Sequence, residues 1–139
     1  MEEPETVSSG WVRPAGQLLG LGLDSVEIGR FGEVLARRPT LEERVFSERE
    51  RSFARARRDP VPSLAARFAA KEAVMKALGV GIGAFDWVEV ETVRDRLGPP
   101  SLVLSGRASA LASAQGVSRW FVSLTHTATT ASAAVAAVS

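Results

Sequence analysis

Glu72 and Lys76 stand four residues apart in the stretch Arg67-Phe68-Ala69-Ala70-Lys71-Glu72-Ala73-Val74-Met75-Lys76-Ala77-Leu78-Gly79. At about 100° per residue this stretch reads as one amphipathic helix, with Leu64, Phe68, Met75 and Leu78 on its apolar side. Lys71 falls inside that apolar arc, Glu72 falls at its edge, and Lys76 lies one turn beyond Glu72 on the same stripe. Half-buried charges are costly unless paired or bound to an ion, so these residues are candidates for a site that handles a metal or a charged ligand. The same spacing also suits a plain surface pair between Glu72 and Lys76, worth about 0.3–0.5 kcal/mol. A lysine can likewise run its stem over apolar surface and keep its ammonium wet.

Three further features join this helix. Asp24 closes a predicted first strand, Gly79-Val80-Gly81-Ile82-Gly83 forms a glycine-rich loop, and the lone histidine, His126, sits in a predicted turn between strands. Two carboxylates from different elements, Asp24 and Glu72, could hold one Mg²⁺ that keeps waters and binds phosphate oxygens, and Lys76 could neutralise a second phosphate. The glycine loop alone is a weak phosphate signal, because here the helix precedes it, whereas a P-loop has the helix following. A histidine in a turn also commonly does no more than bond a backbone group.

Composition narrows the chemistry. The chain has no cysteine, which excludes disulfides, thiolate catalysis and cysteine-ligated zinc or iron–sulfur sites, and one histidine excludes multi-histidine metal sites. Any bound metal should then be a hard ion on carboxylates. With 139 residues, 45% of them hydrophobic, a single soluble globular domain can bury a real core. No apolar run approaches the ~20 residues of a membrane span, and the acidic, polar N-terminus is no signal peptide, so a cytoplasmic location is expected. Aromatic residues make up 6% with no tyrosine, leaving no stacking platform for nucleic acid. The net charge is +1, yet residues 30–58 hold nine arginines against five glutamates. That local excess suits an acidic partner or a merely solvated face.

The elements that must position these residues follow from pattern. Residues 1–16, with Pro4, Gly10, Pro14 and Gly16, read as a flexible tail ahead of a single domain over 17–139. Residues 17–24 read as a strand, with Leu19, Leu21 and Leu23 on one face and Gly20, Gly22 and Asp24 on the other, the glycines leaving room for a helix or a ligand. A helix over 26–37 starts near Ser25, and short helices begin at the capping-box patterns Thr40–Glu43 and Ser47–Glu50. Arg57-Arg58-Asp59-Pro60 is a break, Ser63 caps the long helix, and Gly79 ends it. Strands at 86–92 and 100–104 make a hairpin around a turn at 95–99. A helix over 105–115 and strands at 120–125 and 131–138 complete an α+β domain with a mostly antiparallel sheet packed on the long central helix.

The chain resembles a known family, the holo-acyl-carrier-protein synthases, the small type of 4′-phosphopantetheinyl transferase. Its first motif is similar to Gly20-Leu21-Gly22-Leu23-Asp24-Ser25-Val26-Glu27-Ile28-Gly29-Arg30-Phe31, its second to Arg67–Gly79 as quoted, and its third to Val122-Ser123-Leu124-Thr125-His126-Thr127. All three occur in family order across residues 18–138. Ser25 departs from the apolar residue often found there, and the tail before residue 17 is longer than usual. The resemblance implies transfer of 4′-phosphopantetheine from coenzyme A to a serine of apo acyl carrier protein, with adenosine 3′,5′-bisphosphate released. It implies Asp24 and Glu72 as ligands of Mg²⁺, or of Mn²⁺, and Lys76 as the group stabilising charge on the phosphate. Arg67, His126 and Thr127 would contact coenzyme A, Gly79, Gly81 and Gly83 would pass near its adenine end, and Glu27 and Lys71 would play supporting polar roles. Because the substrate brings the serine nucleophile, no catalytic cysteine or triad is needed here. Arg30, Arg37 and Arg38 would dock the acidic carrier protein. The family is usually a trimer with sites between subunits, which apolar outer sheet positions such as Trp87, Trp120 and Phe121 would permit. A non-catalytic coenzyme A or carrier-protein binding module of the same fold is the alternative, disfavoured by intact Asp24, Glu72 and Lys76. A Mg²⁺-dependent nucleotide hydrolase would need a richer acid cluster.

Overall fold

The computed structural model describes residues 16–94 and 98–139. The tail expected before residue 17 therefore lies, but for Gly16, outside the described residues, as does part of the 95–99 turn. The chain runs through β1 (Leu18–Glu27), α1 (Ile28–Arg37), α2 (Pro39–Val45), α3 (Glu48–Arg55), α4 (Val61–Leu78), a 3₁₀ turn (Trp87–Glu89), β2 (Val90–Arg94), β3 (Pro100–Leu104), α5 (Gly106–Ala114), β4 (Arg119–His126) and β5 (Thr130–Val138). Two antiparallel sheets result, one ordered β1-β5-β4 and the other the β2-β3 hairpin. The expected α+β class with a long central helix holds.

β1 packs on α4 through glycine. A side chain on Gly20 would meet the Ala77 carbonyl oxygen at 2.1 Å, and one on Gly22 would meet that of Ala73 at 1.7 Å. The room left by the two glycines is thus taken by the helix, whose own contacts there are alanines. The match is one of repeats, since two strand residues advance about 6.8 Å and four helical residues about 6 Å. One more step of each brings Asp24 level with the turn that carries Glu72.

Several element boundaries differ from the sequence expectation. β1 continues to Glu27 because its ladder with β5 runs on through Ser25–Ser132 to Glu27–Thr130, so α1 starts at Ile28 rather than near Ser25. α2 begins at Pro39, whose fixed φ and missing N–H suit a first turn, and Thr40 is not its cap. α4 starts at Val61, with Asp59 Oδ1 accepting from Val61 N, two residues before the expected Ser63 cap. The strand expected from residue 86 opens as a 3₁₀ turn, held by reciprocal capping between Asp86 and Glu89. Two expectations hold in detail. Ser47 and Glu50 form a true capping box, and Gly79 closes α4 in the left-handed conformation at φ 69°.

Lys71 is explained by its partners. Its ammonium donates to Glu50 Oε1 at 2.7 Å, to the Trp87 carbonyl at 3.0 Å and to the Val90 carbonyl, while Glu50 Oε2 accepts from Thr92 N. Both side chains are fully buried. The pair ties α3, α4 and the start of β2 together, and Lys71 faces this interior junction, away from Asp24.

Candidate active site

Asp24 sits on the inward face of β1, at an edge of its sheet, with its side chain only 11% exposed. Lys76 Nζ donates to Asp24 Oδ1 at 3.1 Å and to the Leu23 carbonyl at 2.9 Å. Asp24 Oδ2 is buried and accepts no hydrogen bond from a described residue. Glu72, one turn before Lys76, is half-buried. Burial pushes the Glu72 carboxyl above its ordinary range. The adjacent Asp24 charge and a hydrogen bond that a protonated Glu72 can give to Asp24 act the same way, and Lys76 opposes them. Three of the expected site residues are therefore brought together, and Lys76 makes its ion pair with Asp24 on β1 rather than with Glu72 on its own helix.

A carboxyl whose proton affinity is raised by burial and by a neighbouring carboxylate, itself with an orphaned buried oxygen, marks a place short of positive charge. That donor set fits a hard divalent cation. Among the described residues no group of three or more His, Cys, Asp or Glu side chains stands together. Such an ion would therefore fill its remaining positions with water and phosphate oxygens, as Mg²⁺ does.

Arg67 and His126 lie elsewhere. They line a cavity of about 640 Å³ together with Phe53, Arg57, Arg58 and Arg94, and none of Asp24, Glu72 or Lys76 lines it. Nine residues at about 100° each put Arg67 and Lys76 half a turn apart on α4, so the two project from opposite sides of the helix. Arg67 is held by Ser63 Oγ, 2.9 Å from Nη1, and by the Phe53 ring 4.2 Å from its guanidinium carbon, while its buried Nε has no partner. Burial lowers its proton affinity, Arg57 and Arg94 press in the same direction, and Glu50 opposes them. A cavity with four arginines and one acid, Asp59, would gain from a bound anion. Of the residues here, the sequence points to Arg67 and His126 as ligand contacts and not to Arg57, Arg58 or Arg94. The doublet Arg57-Arg58 is the available signal, which the sequence pattern presents as a break and as part of the basic 30–58 segment.

His126 is the last residue of β4 rather than a turn residue, and it is exposed. Thr127 Oγ1 accepts from Thr129 N at 3.2 Å and Thr130 N at 3.0 Å, which shapes the β4–β5 turn. Gly79, Gly81 and Gly83 are exposed just past the end of α4, and a side chain at any of them would meet open space. Arg30, Arg37 and Arg38 are exposed on and just after α1, and none makes an ion pair with a described residue. Beside them an apolar hollow of about 510 Å³ opens between α1 and α2, lined by Arg30, Phe31, Val34, Leu35, Leu41 and Trp87.

The outer face of the three-stranded sheet is apolar, with Leu21 67% and Leu23 65% exposed, and Phe121 lining a shallow hollow with them. Two of the three outer positions expected from sequence are corrected. Trp87 leaves the sheet and stacks on Phe68, 5.1 Å between ring centres, and Trp120 packs against the core cluster around α4. Among the described residues no helix is long and apolar enough to cross a membrane.

Comparison with known proteins places the chain in a family. The family description "4'-phosphopantetheinyl transferase superfamily" matches residues 20–137. A holo-[acyl-carrier-protein] synthase of Moorella thermoacetica is 47% identical over 109 residues, covering 78% of this chain and 85% of the relative. The crystal structure of the Neisseria meningitidis holo-[acyl-carrier-protein] synthase is similar with a TM-score of 0.80 and 31% identity, over 88% of this chain and all of that one. The Bacillus anthracis holo-(acyl-carrier-protein) synthase, solved in complex with CoA (3',5'-ADP), is similar with a TM-score of 0.73 and 30% identity, over 88% and 97% of the two chains.

Proposed function

The chain belongs to the 4′-phosphopantetheinyl transferase superfamily and is an enzyme of its holo-acyl-carrier-protein synthase kind; from that premise we propose that it moves 4′-phosphopantetheine from coenzyme A to a serine of an apo acyl carrier protein and releases adenosine 3′,5′-bisphosphate. The observation that carries the reading is the orphaned Asp24 Oδ2 beside Glu72, with Lys76 one helical turn away. A divalent cation, Mg²⁺ or Mn²⁺, supplies the positive charge that draws the coenzyme A pyrophosphate to these carboxylates. Asp24 and Glu72 hold that ion, and Asp24 is itself fixed by the β1–α4 contact. Lys76 stabilises charge on the phosphate that is transferred or leaves. Catalysis of this kind is positioning and electrostatics, and no covalent group on the enzyme is required.

The cationic cavity around Arg67 and His126 suits a further phosphate of coenzyme A, with Gly79, Gly81, Gly83 and Thr127 near the ligand. Because Arg67 and Lys76 project from opposite sides of α4, a single donor touching both sets lies between two copies of the chain. The apolar outer sheet face around Leu21, Leu23 and Phe121 supports the same assembly, a homotrimer. Arg30, Arg37 and Arg38, without ion pairs among the described residues and flanking an apolar hollow, suit an acidic helix of the carrier protein.

The test is incubation with coenzyme A, Mg²⁺ and apo carrier protein, followed by mass spectrometry of the carrier. The expected result is the gain of one phosphopantetheinyl group. Binding of both partners without that gain would mark a non-catalytic module, and breakdown of coenzyme A with an unmodified carrier would mark a hydrolase.

A further inference from the structure

The Lys76–Asp24 contact has a second consequence, which rests on the metal reading above. Lys76 Nζ occupies Asp24 Oδ1 at 3.1 Å, and its other partner, the Leu23 carbonyl at 2.9 Å, is on the same strand. The Lys76 side chain is 56% exposed, so its stem is free to swing, whereas Asp24 is 11% exposed and held in place. A cation approaching the carboxylate pair meets an ammonium already seated on one of its oxygens. We propose that Lys76 and the divalent cation compete for Asp24, so that metal loading displaces the ammonium and delivers it to the phosphate of the donor.

Charge supports the exchange. Asp24, Glu72 and Lys76 together carry one surplus negative charge, which repels a pyrophosphate. Adding a divalent ion leaves one surplus positive charge, and the ammonium, now crowded by a like charge, has its best partner in the incoming phosphate. Lysine suits this role as a compact charge on a flexible stem, able to exchange one oxygen partner for another. Metal and donor binding are then coupled through Lys76 as well as through the ion itself.

The experiment measures Mn²⁺ affinity by electron paramagnetic resonance, with and without coenzyme A, in wild type, Lys76→Met and Asp24→Asn. Competition predicts that Lys76→Met binds Mn²⁺ roughly three- to tenfold more tightly than wild type when coenzyme A is absent, the scale of a half-exposed ion pair. With coenzyme A present, the gain vanishes or reverses, so the factor by which coenzyme A strengthens Mn²⁺ binding shrinks in the variant. A lysine that stays put and merely repels the ion would give the same gain in both conditions and leave that factor unchanged, which overturns the proposal. An unchanged Mn²⁺ affinity in Lys76→Met overturns it as well. If Asp24→Asn binds Mn²⁺ as well as wild type, the metal assignment itself fails, an outcome separate from any result at Lys76.

Discussion

Lys71 and Glu50 form an ion pair with both side chains sealed from solvent, 2.7 Å between Nζ and Oε1. The lysine therefore precedes Glu72, the proposed metal ligand, in sequence yet acts in the opposite direction, holding the interior junction where α3 and β2 meet α4. Burial lowers its proton affinity and Glu50 opposes that fall, so the lysine's charge depends on the carboxylate beside it.

That dependence gives a stability prediction. Lys71→Met leaves Glu50 buried and unpaired and should cost about 3–5 kcal/mol, as for other buried pairs broken on one side. Adding Glu50→Gln should recover a large part of the loss. Urea denaturation of the two single variants and the double variant checks this. Additive losses would mean that the pair is not coupled.

Asp24→Ala and Glu72→Ala should nearly abolish transfer while the fold survives, and chelator should stop the wild type. Glu72→Gln separates the charge from the shape. The folded state raises the Glu72 pKa, so folding favours the protonated form and the wild type loses stability as pH rises through that raised value. In chelator, Glu72→Gln should therefore match wild-type melting below the ordinary value of 4.5 and exceed it increasingly above. Thermal denaturation across pH reads this directly, and a constant difference would mean that neither burial nor Asp24 raises the Glu72 proton affinity.

Much of the site was legible because its residues sit at fixed points of regular elements. Periodicity puts Gly20, Gly22 and Asp24 on one strand face and Glu72 and Lys76 on one helical stripe, and it is the resemblance to the family that implies the two elements meet. Lys71 was legible only as an anomaly, a charge in an apolar arc. Its partner Glu50 is 21 residues away and already employed in a capping box, and a local pattern does not reveal a second role. Arg94 joins Arg67 and His126 only because β2 returns beside α4, a long-range event with no signature in its own neighbourhood. Trp87 and Trp120 misled for a related reason. A large apolar side chain marks burial, and whether it is buried against a partner or against the chain's own core depends on the packing of distant elements.

Shared sites predict complementation. Asp24→Ala disables one half of the proposed site, and Arg67→Ala combined with His126→Ala disables the other. Refolded together at equal amounts, the two inactive proteins should regain about a quarter of wild-type activity, since each site draws one half from each of two neighbours in a cyclic assembly. Sedimentation should give three times the 14.8 kDa chain mass. Leu21→Glu with Leu23→Glu should yield monomers and abolish the recovered activity. A fully active monomer would defeat the shared-site arrangement.

The proposed docking of the carrier on α1 is a matter of charge. Arg30, Arg37 and Arg38 are exposed and without acid partners among the described residues, whereas Arg49, Arg51, Arg55 and Arg107 each pair with a glutamate or aspartate. A free arginine keeps its field available to an approaching anion, and that field is screened over about 8–10 Å at ordinary salt. Reversal of all three to glutamate should therefore raise the KM for carrier protein at low salt and flatten its salt dependence. Wild-type KM should climb as salt is added, because encounter is steered rather than locked. The KM for coenzyme A should hardly move, since these residues line neither the carboxylate site nor the cavity around Arg67. Steady-state kinetics against both substrates at two ionic strengths separates these effects. Unchanged carrier kinetics in the triple variant at low salt would reduce the basic segment to a solvated face.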